Sequence, residues 1–170
     1  MSEQRSHDVG AVLARELERR VERDQEVRTD DAPLTEDRLA TWAAVDHGNT
    51  AWLKGIIERH GWPGRALVGD TAAEHAWLLA QHADHDPAFQ QRCLDLLAEA
   101  VVQGDASPIN LAYLTDRVRL ASGQRQLYGT QYEPAPGGGW QPRPIQDPDL
   151  VNERRSAIGM HPIEDDELYA

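Results

Sequence analysis

The stretch that decides the fold runs from Asp70 to Gly123 and reads DTAAEHAWLLAQHADHDPAFQQRCLDLLAEAVVQGDASPINLAYLTDRVRLASG. Its apolar residues recur every three to four positions, which predicts three successive amphipathic helices. The dipeptides Asp86–Pro87 and Ser107–Pro108 each place a capping side chain before a proline that suits the first turn of a helix. The first helix is predicted to end near Asp86, because a proline cannot continue it. Glycines at positions 104 and 123 predict the ends of the other two.

The segments on the N-terminal side predict further helices. Apolar residues recur at helical spacing through residues 8–25, which predicts an amphipathic helix with a solvated charged face. Thr35 is suited to cap a second helix, with acidic residues in its first turn. The stretch DHGN at 46–49 is predicted to interrupt that helix. Its asparagine or Thr50 then caps a third helix, which ends at Gly61.

Beyond Gly123 the pattern changes to short extended runs. LYGTQYE and WQPRPI, joined by the turn-rich PAPGGG, predict a loose hairpin whose proline-containing second run is an edge strand or a loop. A final short helix is predicted from Asp147 to Gly159. The predicted fold is therefore mainly α, a single-domain bundle of six to seven helices with a small β-hairpin or extended segment near the C-terminus. Residues 1–34 form an N-terminal helix and link, and residues 164–170 form an acidic tail.

Composition narrows the partners that the chain can have. Seventeen basic and 29 acidic side chains give a net charge of -12, which repels nucleic acid and anionic membrane surfaces. A small-molecule substrate is the expected partner. Cys93 is the only cysteine, so no internal disulfide can form, and its place in an apolar helical pattern predicts a core residue. The first residues lack the features of a leader peptide, so we expect the protein in the cytoplasm.

Histidine is the side chain best suited to proton transfer near neutral pH, and the chain contains seven. His75 and His82 fall on one stripe of the helix predicted from Asp70, beside its alanine-rich apolar face. Partly buried imidazoles are often used in acid–base catalysis, so we favour His82 as a catalytic residue, oriented by Asp84 or Asp46. The alternative is that both histidines are core residues paired with backbone or carboxylate groups.

The spacing of metal-ligating residues gives little support to a metal centre. Only His82, His85 and Asp86 have a spacing that could chelate an ion, and they lie where Pro87 ends the helix. No HExxH motif or cysteine pair is present. A metal is therefore not predicted, and a metal-dependent enzyme using His82 and His85 is the lesser alternative. No P-loop or dinucleotide fingerprint occurs either, so no cofactor is predicted.

A second group of polar residues lies toward the C-terminus. Tyr113 and Arg117 are four residues apart and share a helix face. In the YGTQ segment, Tyr128, Thr130 and Gln131 offer a phenol, a hydroxyl and an amide, which suits a small polar ligand. If the segment is a strand, its tyrosine and threonine share one face and the glutamine points to the other. A hairpin edge with a half-buried tyrosine is an equally good interpretation.

Several motifs together carry a resemblance to a known family. The ordered series is DHGNT, HGWP, VGDTAAEHAWLLAQHAD, AYLTDRV, QLYGTQ and PIQDPDLVNERRSAIGMHPI. It resembles a widespread bacterial family known only as a domain of unknown function, over residues 35–163. The resemblance implies one domain and points to these motif residues: Asp46, Asn49, His82, Asp84, Arg117, Tyr128, Gly129, Thr130 and Gln131. Polar motif residues on separate elements favour a pocket over a purely structural role, by analogy alone.

These observations favour a small enzyme that works by acid–base chemistry on a carbonyl- or carboxylate-bearing substrate. His82 with Asp84 and Tyr128 form the predicted catalytic set. The predicted substrate-binding residues are Arg117, Gln131, Thr130, Asp46 and Asn49. The prediction requires His82 and Tyr128 to face one hollow. The main alternative is a non-catalytic binding or immunity-like module whose acidic surface recognises a basic protein.

Overall fold

The computed structural model describes residues 2–29, 33 and 35–164, with side chains from Asp8 onward. The described residues contain seven α-helices and one two-stranded hairpin, and 67% of the structure is helical, which confirms the mainly α fold. They fall into two compact units, the first ending at Ala106 and the second beginning at Ser107. In the described part of the chain, no helix is long and apolar enough to cross a membrane.

The first unit consists of five helices packed around an apolar core. They are α1 (Ser2–Thr29), α2 (Glu36–His60), α3 (Arg65–Val68), α4 (Asp70–Gln81) and α5 (Pro87–Val102). Helix α1 packs against α2, α3 and α4, and α4 also packs against α2 and α5. Wholly buried side chains from each long helix form the centre of the core: Leu17, Leu53, Leu79 and Leu97. This arrangement brings one face of α1 against α2 and the end of α4.

Three of the predicted helix caps are confirmed. The Thr35 side chain accepts a hydrogen bond from the backbone N–H of Arg38, and Asp86 accepts one from Phe89 at 3.1 Å. Ser107 caps the first helix of the second unit in the same way. Cys93 is wholly buried, as predicted, and burial raises the pKa of its thiol to about 12.

The predicted interruption at DHGN is wrong, because α2 continues through it without a break. Asn49 and Thr50 do not cap a new helix but are buried against the rest of the unit, at 5% and 3% exposure. A glycine inside a helix costs only about 1 kcal/mol relative to alanine, which the burial of the neighbouring side chains offsets. Tertiary packing therefore overrides the local signal.

Helix α4 ends at Gln81, five residues earlier than predicted, so QHAD lies largely in a turn. The last carbonyl groups of α4 accept hydrogen bonds from a side chain of the next helix. The side-chain amide of Gln90 donates to the carbonyls of Ala80 and Gln81 at 3.2 and 3.1 Å. These two bonds satisfy carbonyl groups that another helical turn would otherwise bind. His82 therefore lies directly after the last residue of the helix.

The second unit contains α6 (Pro108–Ala121), strands β1 (Tyr132–Pro134) and β2 (Trp140–Pro142), a 3₁₀ turn (Pro148–Leu150) and α7 (Val151–Ala157). The strands pair antiparallel, with Tyr132 opposite Pro142, which confirms the predicted hairpin. YGTQ precedes β1 and is not itself a strand, so the predicted alternation of its side chains does not apply. The link at 30–32 and 34, and all but the first residue of the predicted acidic tail, lie outside the described residues.

Gly129, the glycine of YGTQ, packs against the small apolar core of the second unit, formed by Ile145, Val151 and Ile163. Its φ is +66°, and a Cβ there would lie 2.4 Å from the Ile163 Cδ1 atom. We expect Gly129→Ala to lower the free energy of unfolding by about 2–3 kcal/mol, since both the backbone and the core must shift. Thermal denaturation measures the change.

The matched control is Gly137→Ala, because a Cβ at Gly137 meets no atom within 4 Å. It should leave the stability nearly unchanged. Equal melting temperatures for the two variants would show that Gly129 is not required by packing.

Candidate active site

Four charged or ionisable side chains meet where α1, α2 and the end of α4 come together, namely Asp24, Arg28, Asp46 and His82, here called the Asp24 cluster. Asp24 is at its centre and is wholly buried. Its Oδ1 atom lies 2.9 Å from the His82 Nδ1 atom. Its Oδ2 atom accepts a hydrogen bond from the Gln25 side chain at 2.9 Å. A carboxylate buried in this way requires such partners, because burial without them is costly.

Arg28 links the two carboxylates of the cluster. Its Nη2 atom donates to Asp46 Oδ1 at 2.6 Å and lies 3.5 Å from Asp24 Oδ1. The same guanidinium group stacks on the Trp42 ring, 5.7 Å from its centroid. Asp46 and His82 remain 20% and 17% exposed, so solvent or a ligand can reach them.

The two carboxyl groups of the cluster have opposite pKa shifts. Burial acts to raise the pKa of Asp24, but the hydrogen bond from His82 and the positive charges of His82 and Arg28 outweigh it and lower that pKa. Burial also raises the pKa of Asp46, and there the charge of Arg28 does not overcome it. Neighbouring carboxyl groups with diverging pKa values are typical of acid–base sites.

The lowered pKa of Asp24 decides which nitrogen of His82 carries a proton. An ionised carboxylate can only accept hydrogen bonds, so the Nδ1 atom of His82 must be the donor. The Nε2 atom is then the nitrogen left for proton transfer in the neutral ring. A buried carboxylate that fixes a histidine tautomer is the arrangement found in hydrolytic triads.

A second polar layer lies one helical turn away from the cluster. Arg20, one turn before Asp24 on α1, donates to the Asn49 side-chain oxygen at 3.2 Å and stacks on Trp52. Three buried atoms in this region have neither a hydrogen-bond nor an ion-pair partner among the described residues. They are Arg28 Nη1, Asn49 Nδ2 and Thr50 Oγ1. Asn49 and Thr50 lie three and four residues after Asp46, on the same face of α2.

The three residues with predicted chelating spacing, His82, His85 and Asp86, are directed to different partners. The His85 ring packs edge-on against His47, with the centroids 4.0 Å apart, and burial together with His47 lowers the pKa of His85. Asp86 pairs with Lys54 and caps α5. Within the described residues, one set of side chains has suitable geometry: the potential ligand atoms of Asp24, Asp46 and His82 all lie within 4.8 Å of one another.

His82 is hydrogen-bonded to Asp24, and Asp84 makes a hydrogen bond to helix α5. The Asp84 Oδ1 atom accepts a hydrogen bond from the Gln90 side chain at 3.1 Å. The sequence favours Asp84 or Asp46 as the carboxylate that orients His82, and the structure gives this role to Asp24, which comes from a distant part of the chain. The turn after α4 directs the His82 ring toward α1, whereas Asp84 is directed to α5.

The predicted residues of the second unit are arranged around a buried carboxylate, Asp116. It accepts hydrogen bonds from the backbone N–H groups of Leu127, Tyr128 and Thr130, at 2.6 to 3.1 Å. The Thr130 hydroxyl donates to the same carboxylate at 2.9 Å. Asp116 therefore holds the backbone of YGTQ in place, and the hydroxyl of Thr130 is used within the unit.

The other predicted residues of the second unit extend this network. The Arg117 Nη1 atom donates to Gln131 Oε1 at 3.2 Å, and Gln131 Nε2 donates to Thr130 Oγ1 at 3.1 Å. The Tyr128 carbonyl accepts from Arg155 at 2.6 Å, while its half-buried phenol makes no hydrogen bond within residues 107–164. His82 belongs to the first unit and Tyr128 to the second, and their shared hollow stays a prediction.

A comparison with protein families matches residues 12–168 of the chain, so the match covers far more than half of it. The chain belongs to the DUF6624 family, a family of unknown function. This confirms the resemblance inferred from the sequence motifs. No curated protein and no solved structure matches the chain.

The DUF6624 match extends further toward the N-terminus than the motifs in residues 35–163, and it includes Asp24 and Arg28. Sequence reasoning misses both residues because the charged part of α1 has the pattern of a solvated face. One signal could have found Asp24. It follows Leu13, Leu17 and Val21 at helical spacing, which puts a carboxylate on the buried stripe of an amphipathic helix.

Proposed function

We propose that this DUF6624 protein is a small enzyme that uses His82 as a general acid and base on a polar substrate carrying a carbonyl or carboxylate group. The observation that carries the proposal is the pair formed by wholly buried Asp24 and partly exposed His82. A carboxylate excluded from solvent fixes the ring orientation and its tautomer, and it stabilises the ring when the ring takes up a proton.

In this proposal the His82 Nε2 atom removes a proton from the substrate or from an attacking water molecule, and later returns it. Ionised Asp24 holds the Nδ1 proton throughout and does not itself take part in the transfer. The geometry suits hydrolysis, elimination or isomerisation, since each needs one group that accepts and then donates a proton.

Arg28 and Asp46 supply the remaining parts of the site. The Arg28 guanidinium group lies beside both carboxylates and provides a positive charge near the reacting group, where negative charge develops on a carbonyl oxygen. Asp46 pairs with Arg28 and stays 20% exposed, so a substrate can contact its carboxyl group. Tyr128, Arg117 and Gln131 lie in the second unit, and their role in binding a substrate stays a prediction from the sequence.

Consumption of small molecules from a metabolite extract, followed by mass spectrometry, tests the proposal across many candidate substrates at once. We expect His82→Ala to slow the consumption of any metabolite that the protein uses by about a hundredfold or more, because loss of an acid–base group has an effect of that size. His82→Gln, which cannot transfer a proton, should behave in the same way.

The matched control is His60→Ala, which removes an exposed histidine from the last turn of α2. It should consume the same metabolite at the rate of the unmodified protein. Consumption by His82→Ala within a few-fold of that rate would rule out the proposed role, and no consumption by any form would favour the non-catalytic module.

A further inference from the structure

We infer that the Asp24 cluster also binds one divalent first-row transition-metal ion, through Asp24, Asp46 and His82. Only the role of the ion in a reaction rests on the proposed function, because both place the chemistry at the same cluster. In the metal-bound form the His82 Nδ1 atom releases its proton to solvent and becomes a ligand, and a water molecule on the ion would supply the group that transfers a proton.

The distances among the three side chains suit such an ion. Metal bonds of about 2.1 Å to nitrogen and oxygen put neighbouring ligand atoms about 3 Å apart and opposite ones about 4.2 Å apart. The Asp24 Oδ1 and His82 Nδ1 atoms are already 2.9 Å apart, and all the ligand atoms lie within 4.8 Å. Binding of an ion requires the most distant pair of ligand atoms to close from at most 4.8 Å to about 4.2 Å or less.

The cluster is also built to hold a cation. Two carboxylates, one of them wholly buried, face each other across a space into which Arg28 places one guanidinium nitrogen. The fit of that guanidinium is incomplete, because its Nη1 atom is buried and has no acceptor among the described residues. An ion between the carboxylates would displace the Nη2 atom, and a water or hydroxide on the ion would offer Nη1 an acceptor.

The donor set selects the class of ion. Two carboxylates and one imidazole suit Mn²⁺, Fe²⁺ and Zn²⁺, whereas Mg²⁺ prefers oxygen ligands alone and keeps most of its water. Three protein ligands leave at least one position open for water, which is the arrangement of a catalytic site rather than a structural one.

Isothermal titration of the chelator-treated full chain with Zn²⁺, and separately with Mn²⁺, tests the inference without an activity assay. We expect one ion per chain, and no measurable binding of Mg²⁺ at the same concentrations. Asp46→Asn and His82→Gln should each weaken binding by about a hundredfold, because each removes a ligand. Asp46 is partly exposed, so Asp46→Asn keeps the test valid if the buried positions do not tolerate change.

His47→Gln is the control, since His47 and His85 form the neighbouring imidazole pair on the surface. It should bind both ions as the unmodified protein does. Loss of binding in His47→Gln with full binding in Asp46→Asn would overturn the inference, and so would the absence of stoichiometric binding in the unmodified protein.

The metabolite assay with and without chelator separates the two proposals. If the ion does not bind but the metabolite is still consumed, the metal inference fails and the acid–base proposal stands. If the ion binds but nothing is consumed, the metal site stands and the proposed function fails.

Discussion

Asp24→Ala should lower the free energy of unfolding by about 3–5 kcal/mol at pH 7, because it leaves the hydrogen-bond donors around a buried carboxylate without their acceptor. Asp24 is wholly buried and pairs with both His82 and Arg28. Removing it leaves the His82 Nδ1 proton and one side of the guanidinium group without an acceptor. Urea denaturation measures the loss.

The loss of unfolding free energy in Asp24→Ala should become smaller as the pH falls. The folded state lowers the pKa of Asp24, so its stabilisation is present above its ordinary value of 3.8 and is lost as the pH falls through the lower folded value. The difference between the two proteins should therefore be largest near neutral pH and shrink below about pH 4.

Glu22→Ala is the matched control for Asp24→Ala, because it removes an exposed carboxylate from the same helix. Its effect should stay within about 0.5 kcal/mol, as for most surface substitutions. A loss at Asp24 no larger than this would mean that the cluster does not contribute to holding α1 in place.

Asp116→Ala should have a comparable effect on the second unit. It leaves the backbone N–H groups of Leu127, Tyr128 and Thr130 without their acceptor, which at about 1–3 kcal/mol for each buried donor gives a loss of about 3–5 kcal/mol after partial solvation. Hydrogen exchange at these three amides should accelerate more than the exchange of amides in α5. Asp116→Asn keeps one oxygen acceptor, so its loss of stability should be smaller than that of Asp116→Ala.

The control for Asp116→Ala is Glu153→Ala, an exposed carboxylate on α7. It should leave the exchange of the YGTQ amides unchanged. Continued protection of those amides in Asp116→Ala would show that another group holds this segment.

The helices of this protein are predictable where a local signal and the packing agree. Asp86 before Pro87 is such a case, since the same carboxylate caps α5 in the structure. The DHGN signal fails because glycine and asparagine only weaken a helix, and buried Asn49 and Thr50 tie α2 to its neighbours. The end of α4 depends on the Gln90 side chain, which lies in the next helix and leaves no local mark in the sequence.

The candidate site is only partly predictable for the same reason. His82 can be found, because an imidazole beside an apolar stripe stands out. Its partner Asp24 lies 58 residues earlier in the chain, and only the packing of α1 against α4 brings the two together. The polarity of YGTQ predicts a ligand-binding motif, but several of its polar groups bind Asp116, a residue of the AYLTDRV motif that the sequence analysis does not select as functional.

The tautomer of His82 tests the central claim most directly, and long-range ¹H–¹⁵N NMR of histidine-labelled protein measures it. We predict that in the chelator-treated protein the His82 ring carries its proton on Nδ1, with a slowly exchanging signal that disappears in Asp24→Asn while the exposed histidines remain unchanged. A His82 ring protonated only on Nε2, or an Nδ1 signal unaffected by Asp24→Asn, would contradict the account.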